Sequence, residues 1–165
     1  MKVRDIMTEE LRCCQPDTNL AAATELMWNN DCGVLPVVDD GKLAGIITDR
    51  DICIALGTRN RPAADMAVKD VAAHEVQTCA PDDDVHMAMA VMRRAKVHRL
   101  PVVNNEGKLE GVVALNDIVL AADRKHGAID YEEVMNTIKA VSEHRGYKPA
   151  QPAKLTFPPI AVAVA

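Results

Sequence analysis

Residues 34–55 read VLPVVDDGKLAGIITDRDICIA and residues 99–121 read RLPVVNNEGKLEGVVALNDIVLA, so the chain writes one pattern twice. The copies are offset by 65 positions, and by 66 after the extra residue Glu106. The register also holds upstream. Val3-Arg4-Asp5-Ile6 matches Val68-Lys69-Asp70-Val71, and Cys14-Gln15-Pro16-Asp17 matches Cys79-Ala80-Pro81-Asp82. A repeat of this length is one structural unit used twice, and such units bury their apolar faces on each other. A copy of about 55–60 residues is marginal alone, because small units bury too little surface. Pairing predicts one shared core, a pseudo-two-fold axis and a cleft between the halves. Differences between the copies then show which end of the cleft has kept its chemistry.

Composition narrows the function classes. Apolar residues are 48% and charged residues 26%, an ordinary globular balance. The net charge of −5 argues against a nucleic-acid surface. Aromatics are only 2%, too few for the stacking platforms of single-strand binders. The opening MKVRDIMTEE has no apolar signal-peptide region, and no apolar run approaches the roughly 20 residues of a membrane span. Five cysteines, odd in number and without a CxxC pair, fit reduced thiols and a cytoplasmic location.

The pattern reads as a mixed α/β (α+β) fold. Each repeat runs helical turn, strand, helix, strand, strand, helix. Leu11–Cys14 and Val76–Cys79 are expected as short strands. Pro16–Asn19 and Asp82–Asp84 offer caps for helices carrying Leu20, Ala23 and Met27, and Val85, Ala88, Val91, Met92 and Ala95, at helical spacing. Val34–Val38 and Lys42–Ile47 form a hairpin around Asp39-Asp40-Gly41, mirrored by Leu100–Val103 and Leu109–Val113. Pro36 and Pro101 are expected at a strand start or edge. The closing helices run from Asp49 to an end near Gly57, and from Asn116 to about Ala122. The units are therefore residues 1–58, a linker 59–67, residues 68–124, and an appendage 125–165. In the appendage, Asp130-Tyr131-Glu132-Glu133 predicts a capping box, Val134, Ile138 and Val141 an apolar stripe, and Gly146 a C-cap. The last stretch, KPAQPAKLTFPPIAVAVA, reads as mostly irregular.

Taken together, DIM near the start, LPVV before a turn, and GIITDRDI resemble the CBS domain, arranged as a tandem pair. The Thr-Asp-Arg-Asp version is similar to small stand-alone bacterial CBS-pair proteins, and the likeness covers about residues 1–124. The resemblance implies a regulatory module that binds AMP, ADP, ATP, NAD or S-adenosylmethionine between the repeats. It also implies a homodimer and an unknown protein that reads its state. It implies no catalytic residues, no resident cofactor and no metal.

Carried over residue by residue, the resemblance assigns one main site. Thr48, Arg50 and Asp51 stand where a strand meets a helix start. A carboxylate there accepts both ribose hydroxyls, and the helix N-terminus favours phosphate. Thr-x-x-Asp is equally a capping box, which needs no ligand. His98 and Arg99 resemble a His-Arg-Leu-Pro stretch that touches phosphates, and Arg supplies a planar fork for phosphate oxygens. Adenine would slot against Ile46, Gln77, Cys79 and Pro101, with Thr78 alongside. The mirror site combines Arg12, Cys13, Val112, Ala114 and Asp117. It lacks the threonine hydroxyl and the His-Arg pair, so one good site per chain is expected, on the Thr48/His98 side. A structural dimerisation module without a ligand is the alternative. Cys13-Cys14 is expected to pack rather than react. The five histidines show no metal-ligand spacing, and Asp82-Asp83-Asp84 is expected to cap a helix.

Overall fold

The computed structural model describes residues 1–122 and 129–143. Those residues form a mixed α+β molecule with two similar units. In the first, α1 (Leu20–Asn29) leads to β1 (Val34–Asp39), β2 (Lys42–Thr48) and α2 (Asp49–Arg59). In the second, α3 (Val85–Ala95) leads to β3 (Arg99–Val103), β4 (Leu109–Ala114) and α4 (Leu115–Ala121). A further helix, α5 (Tyr131–Ser142), follows.

Local chemistry explains these boundaries. Asn19 caps α1 by accepting from Ala22 N at 2.9 Å, and Asp84 caps α3 by accepting from His86 N at 2.9 Å. Asp40 and Gly41 have φ of 46° and 77°, the left-handed pair that a two-residue hairpin turn needs. Both hairpins carry a bulge, at Val37/Val38 and at Val102/Val103. Pro36 and Pro101 face the outer edges of their hairpins, where their carbonyls accept from Cys14 N and Cys79 N at 3.0 and 3.1 Å.

Four expectations change. The short strands 11–14 and 76–79 reduce to single parallel bridges, Cys14 to Val37 and Cys79 to Val102. A proline two residues later in each copy has no N–H with which to extend the ladder. Second, α2 runs through Gly57 to Arg59 and stops at Asn60, whose φ of 48° is left-handed. Third, Met89 is buried in α3, while Val91 and Ala95 are half-buried. Fourth, the buried apolar residues form two clusters rather than one shared core. Leu20, Leu35, Ile47 and Ile52 centre the first, and Met89, Met92, Leu100 and Ile118 the second.

The termini of the repeats cross over. Val3, in a turn of 3-10 helix, packs into the second cluster, and Val68, in the matching turn, packs into the first. Backbone bonds fix this exchange: Val3 N donates to Asp83 O and Val68 N to Thr18 O. Helix α5 lies on α3 and α4, burying Val134 and Val141 with Thr137 between them. Asp130 caps it through Glu132 N at 3.2 Å. The expected C-cap Gly146 and the irregular tail lie outside the described residues.

Candidate functional site

The two units meet along two quasi-equivalent seams. Residue 73 adds to the edge of β2, where Ile46 N and Ala73 N exchange bonds with Ala73 O and Ile46 O at 3.0 and 2.9 Å. Thr8 adds to the edge of β4 in the same way, exchanging bonds with Val112 at 2.9 and 3.0 Å. Glycine permits both approaches. A Cβ on Gly45 would stand 2.8 Å from Ala73 O, and one on Gly111 would stand 3.0 Å from Thr8 O.

A cavity opens at each seam. The one at the Thr8 seam has a volume of about 380 Å³. Its polar wall holds Glu10, Arg12, Arg99 and Asp117, and its apolar wall Val34, Pro36, Ile46 and Val112, with Ala114 beside them. The one at the Ala73 seam has a volume of about 490 Å³ and presents Glu75, Gln77, Arg94 and Arg99 beside Ile46 and Val97. Both sizes suit a small organic ligand. Arg99 and Ile46 line both cavities. Arg99 begins β3, opposite Ala114, and among the described residues its guanidinium makes no hydrogen bond or ion pair. Its counterpart in the first unit is Val34, so the molecule carries this cation once.

The residues expected at the main site are divided by the fold. Ile46, Gln77 and Arg99 line the Ala73-seam cavity. Thr48 lies two residues along the same face of β2, outside that lining, as do Arg50, Asp51 and His98. Thr78 borders a smaller hollow with Gly45 and His74. Cys79 and Pro101 are buried and line neither seam cavity. At the mirror site, Arg12, Val112, Ala114 and Asp117 gather around one cavity, with Cys13 outside its lining. Arg94 was not singled out from sequence. The only signal was its place in the last turn of α3, directly before the seam.

Hydrogen bonding separates the two carboxylates. Thr48 caps α2 in full: its Oγ1 donates to Asp51 Oδ2 at 2.6 Å, Asp51 N donates back to Thr48 Oγ1 at 3.2 Å, and Thr48 N donates to the same Oδ2 at 3.0 Å. Both arms of the capping box are therefore made. Among the described residues, Asp117 receives only Ala114 N, at 2.7 Å on Oδ2. Its half-buried carboxylate faces the Thr8-seam cavity with more accepting capacity left.

Elsewhere the polar groups serve the fold. Burial raises the thiol of Cys14 to about 11, helped by Cys13, and that of Cys79 to about 12, helped by Asp83. Such thiols stay protonated and unreactive at neutral pH. Asp82 pairs with Lys2 and Arg4, Asp83 accepts from Ala80 N, and Asp84 caps α3. Among the described residues, no group of three His, Cys, Asp or Glu side chains is placed to hold a metal, and no helix is long and apolar enough to cross a membrane.

Comparison with known proteins places this architecture. The CBS domain family model matches residues 3–58 and again 68–124. The CBS domain-containing protein YhcV of Bacillus subtilis is 31% identical over 118 residues, covering 72% of this chain and 83% of that protein. Inosine-5'-monophosphate dehydrogenase of Methanocaldococcus jannaschii is 32% identical over 120 residues, which are 72% of this chain but 23% of that enzyme. Among solved structures, the CBS domain pair of protein MJ0100 in complex with 5'-methylthioadenosine and S-adenosyl-L-methionine superposes with a TM-score of 0.66 at 26% identity, covering 73% of this chain and 94% of that one. CBSX2 from Arabidopsis thaliana, solved in complex with AMP, superposes with a TM-score of 0.65 at 27% identity, again covering 73% and 94%. With both repeats matched and the seams of a paired fold in place, the chain belongs to the CBS domain family as a tandem pair.

Proposed function

We propose that this chain is a regulatory module that binds an adenosyl ligand in the cleft between its repeats. One observation carries the reading. At the Thr8 seam, a carboxylate with spare accepting capacity, a guanidinium without a partner among the described residues and an apolar wall face the same cavity of about 380 Å³. Adenine, ribose and phosphate ask for those three things: an apolar slot, an acceptor for two hydroxyls, and a cation. In this reading Asp117 holds the ribose, Arg99 the phosphate, and Ile46, Pro36 and Val112 clasp the base. The Ala73-seam cavity, with Gln77, Arg94 and Arg99, is the second seat, and Thr48, Asp51 and His98 join it where a longer ligand extends past Ile46. Complexes of two similar pairs with AMP, and with S-adenosylmethionine and methylthioadenosine, support the ligand class. AMP, ATP, NAD and S-adenosylmethionine are the candidates.

A ligand held this way touches both repeats, so it shifts how they pack by its differential affinity for the two arrangements. A homodimer fits the same reading. Ile54 on α2 and its counterpart Leu120 on α4 are 52% and 84% exposed, and they offer an apolar face on each repeat. Titration calorimetry with the four candidates tests the proposal. At least one should bind saturably, and Asp117→Ala should weaken it by about tenfold to a hundredfold, the loss expected for hydrogen bonds to a charged group. Four ligands without heat or thermal shift leave the structural dimerisation reading in its place.

A further inference from the structure

The linings of the two seam cavities match position for position. Glu10, Arg12, Cys32 and Val34 of the Thr8 cavity stand 65 residues before Glu75, Gln77, Val97 and Arg99 of the Ala73 cavity. Each cavity therefore has the same acid, Glu10 or Glu75. Each also has one cation of its own, Arg12 at the Thr8 seam and Arg94, in the last turn of α3, at the Ala73 seam. Arg12 is tethered, its Nε donating to Asn30 Oδ1 at 2.9 Å. Asp117 adds a second acid at the Thr8 seam.

Without Arg99, neither cavity favours an anion. Among the described residues, the Thr8 lining then holds two acids and one base, and the Ala73 lining one of each. Arg99 alone tips either cavity toward phosphate. It stands between them. Its cross-strand partner Ala114 borders the Thr8 cavity, while Val97, two residues upstream, borders the Ala73 cavity. Among the described residues, no hydrogen bond or ion pair holds its exposed side chain to one side. A guanidinium presents a single planar fork to phosphate oxygens, so a phosphate that takes it in one cavity removes it from the other.

Given adenosyl binding in the cleft, on which this rests, we propose that Arg99 is a clamp shared by the two seats, which makes them antagonists for phosphorylated ligands. A nucleotide in the Thr8 seat draws Arg99 and leaves the Ala73 seat to adenosyl ligands without a phosphate. An empty Thr8 seat returns Arg99 to the Ala73 seat. By linkage the antagonism is reciprocal. The module then holds at most one nucleotide tightly per chain, and it responds to the charge of its second ligand as well as to its presence.

Plugging one seat separates a shared Arg99 from one dedicated to the Thr8 cavity. Val34 lines the Thr8 cavity and not the Ala73 cavity, and it is half-buried at the start of β1, so Val34→Phe adds bulk to one seat alone. Cys32→Phe is a second plug from the same lining. Calorimetric titration of AMP into the wild-type chain should give a tight step and a second step at least about tenfold weaker, the loss expected when a charged hydrogen-bond partner is missing. Adenosine, which asks nothing of Arg99, should show a smaller gap. In either plugged variant one AMP step should remain, at least about tenfold tighter than the wild type's second step. Adding Arg99→Ala to the plug should return AMP to that second-step affinity, while adenosine binds the plugged protein with and without Arg99 alike. A plug that abolishes AMP binding, or leaves it no tighter than the wild type's second step, overturns the proposal while adenosyl binding stands. An equal gap for AMP and adenosine in wild type overturns it without recourse to any variant. Absence of binding by both ligands in every protein overturns it together with the reading it rests on.

Discussion

Asp51 and Asp117 occupy one position in the two repeats, and one neighbouring hydroxyl separates their roles. Thr48 engages the first carboxylate from side chain and backbone, while Ala114 offers the second only its N–H. Thr48→Ala should therefore cost about 1 kcal/mol of stability through lost capping, with a smaller effect on ligand affinity; denaturant titration and calorimetry on one variant separate these. Arg99→Ala should remove the preference for a phosphorylated ligand over adenosine, by about tenfold or more, at either cavity. The thiols make a pH prediction. Cys14 and Cys79 have folded-state values of about 11 and 12, above the ordinary 9.0, so the native state holds their protons more tightly. Their contribution is complete below pH 9 and is lost as pH rises through about 11 to 12. Stability measured from pH 8 to 11 should fall, and Cys79→Ala should flatten the fall. At neutral pH, exposed Cys53 should alkylate far faster than Cys14 or Cys79.

At the scale of elements, repeat identity made most of the fold readable. Alternation and turn chemistry in LPVVDDGKLAGIIT predict the hairpin that forms, and Asn19, Asp84 and Asp130 cap the helices expected after them. The misread elements depended on tertiary context. Residues 11–14 and 76–79 have strand-like composition, but each is covered by one neighbour and followed by proline. Gly57 has the chemistry of a stop, yet the helix continues because Asn60 supplies the left-handed cap. The sequence grouped Arg12, Val112, Ala114 and Asp117 as they stand around the Thr8-seam cavity, but it did not foresee that Thr48, Asp51 and His98 lie outside the lining that holds Ile46, Gln77 and Arg99. Arg12, Ala114, Asp117 and Arg99 could each be named, but only the exchanged termini show that Thr8 and Ala73 close the seams and that Arg99 faces both cavities. The seam glycines give an element-scale test. Gly45→Ala places a Cβ against a backbone carbonyl, so the seam must shift; the loss should be about 1–3 kcal/mol. A surface change such as Lys108→Ala should lower the melting temperature far less.

For the whole molecule, two units with separate clusters are joined by exchanged turns and by two seams, so a ligand held between them would act on their relative packing. A bridging ligand at 100 times its dissociation constant should add about 2.7 kcal/mol to stability. A single cation facing two cavities also predicts that anionic ligands fill them unequally, one tightly and one weakly. The central claim is adenosyl binding between the repeats, and calorimetric titration of AMP into wild type, Asp117→Ala and Arg99→Ala tests it most directly. Saturable binding to wild type, weakened at least about tenfold in both variants, is the predicted result. Equal affinity in all three proteins would contradict it.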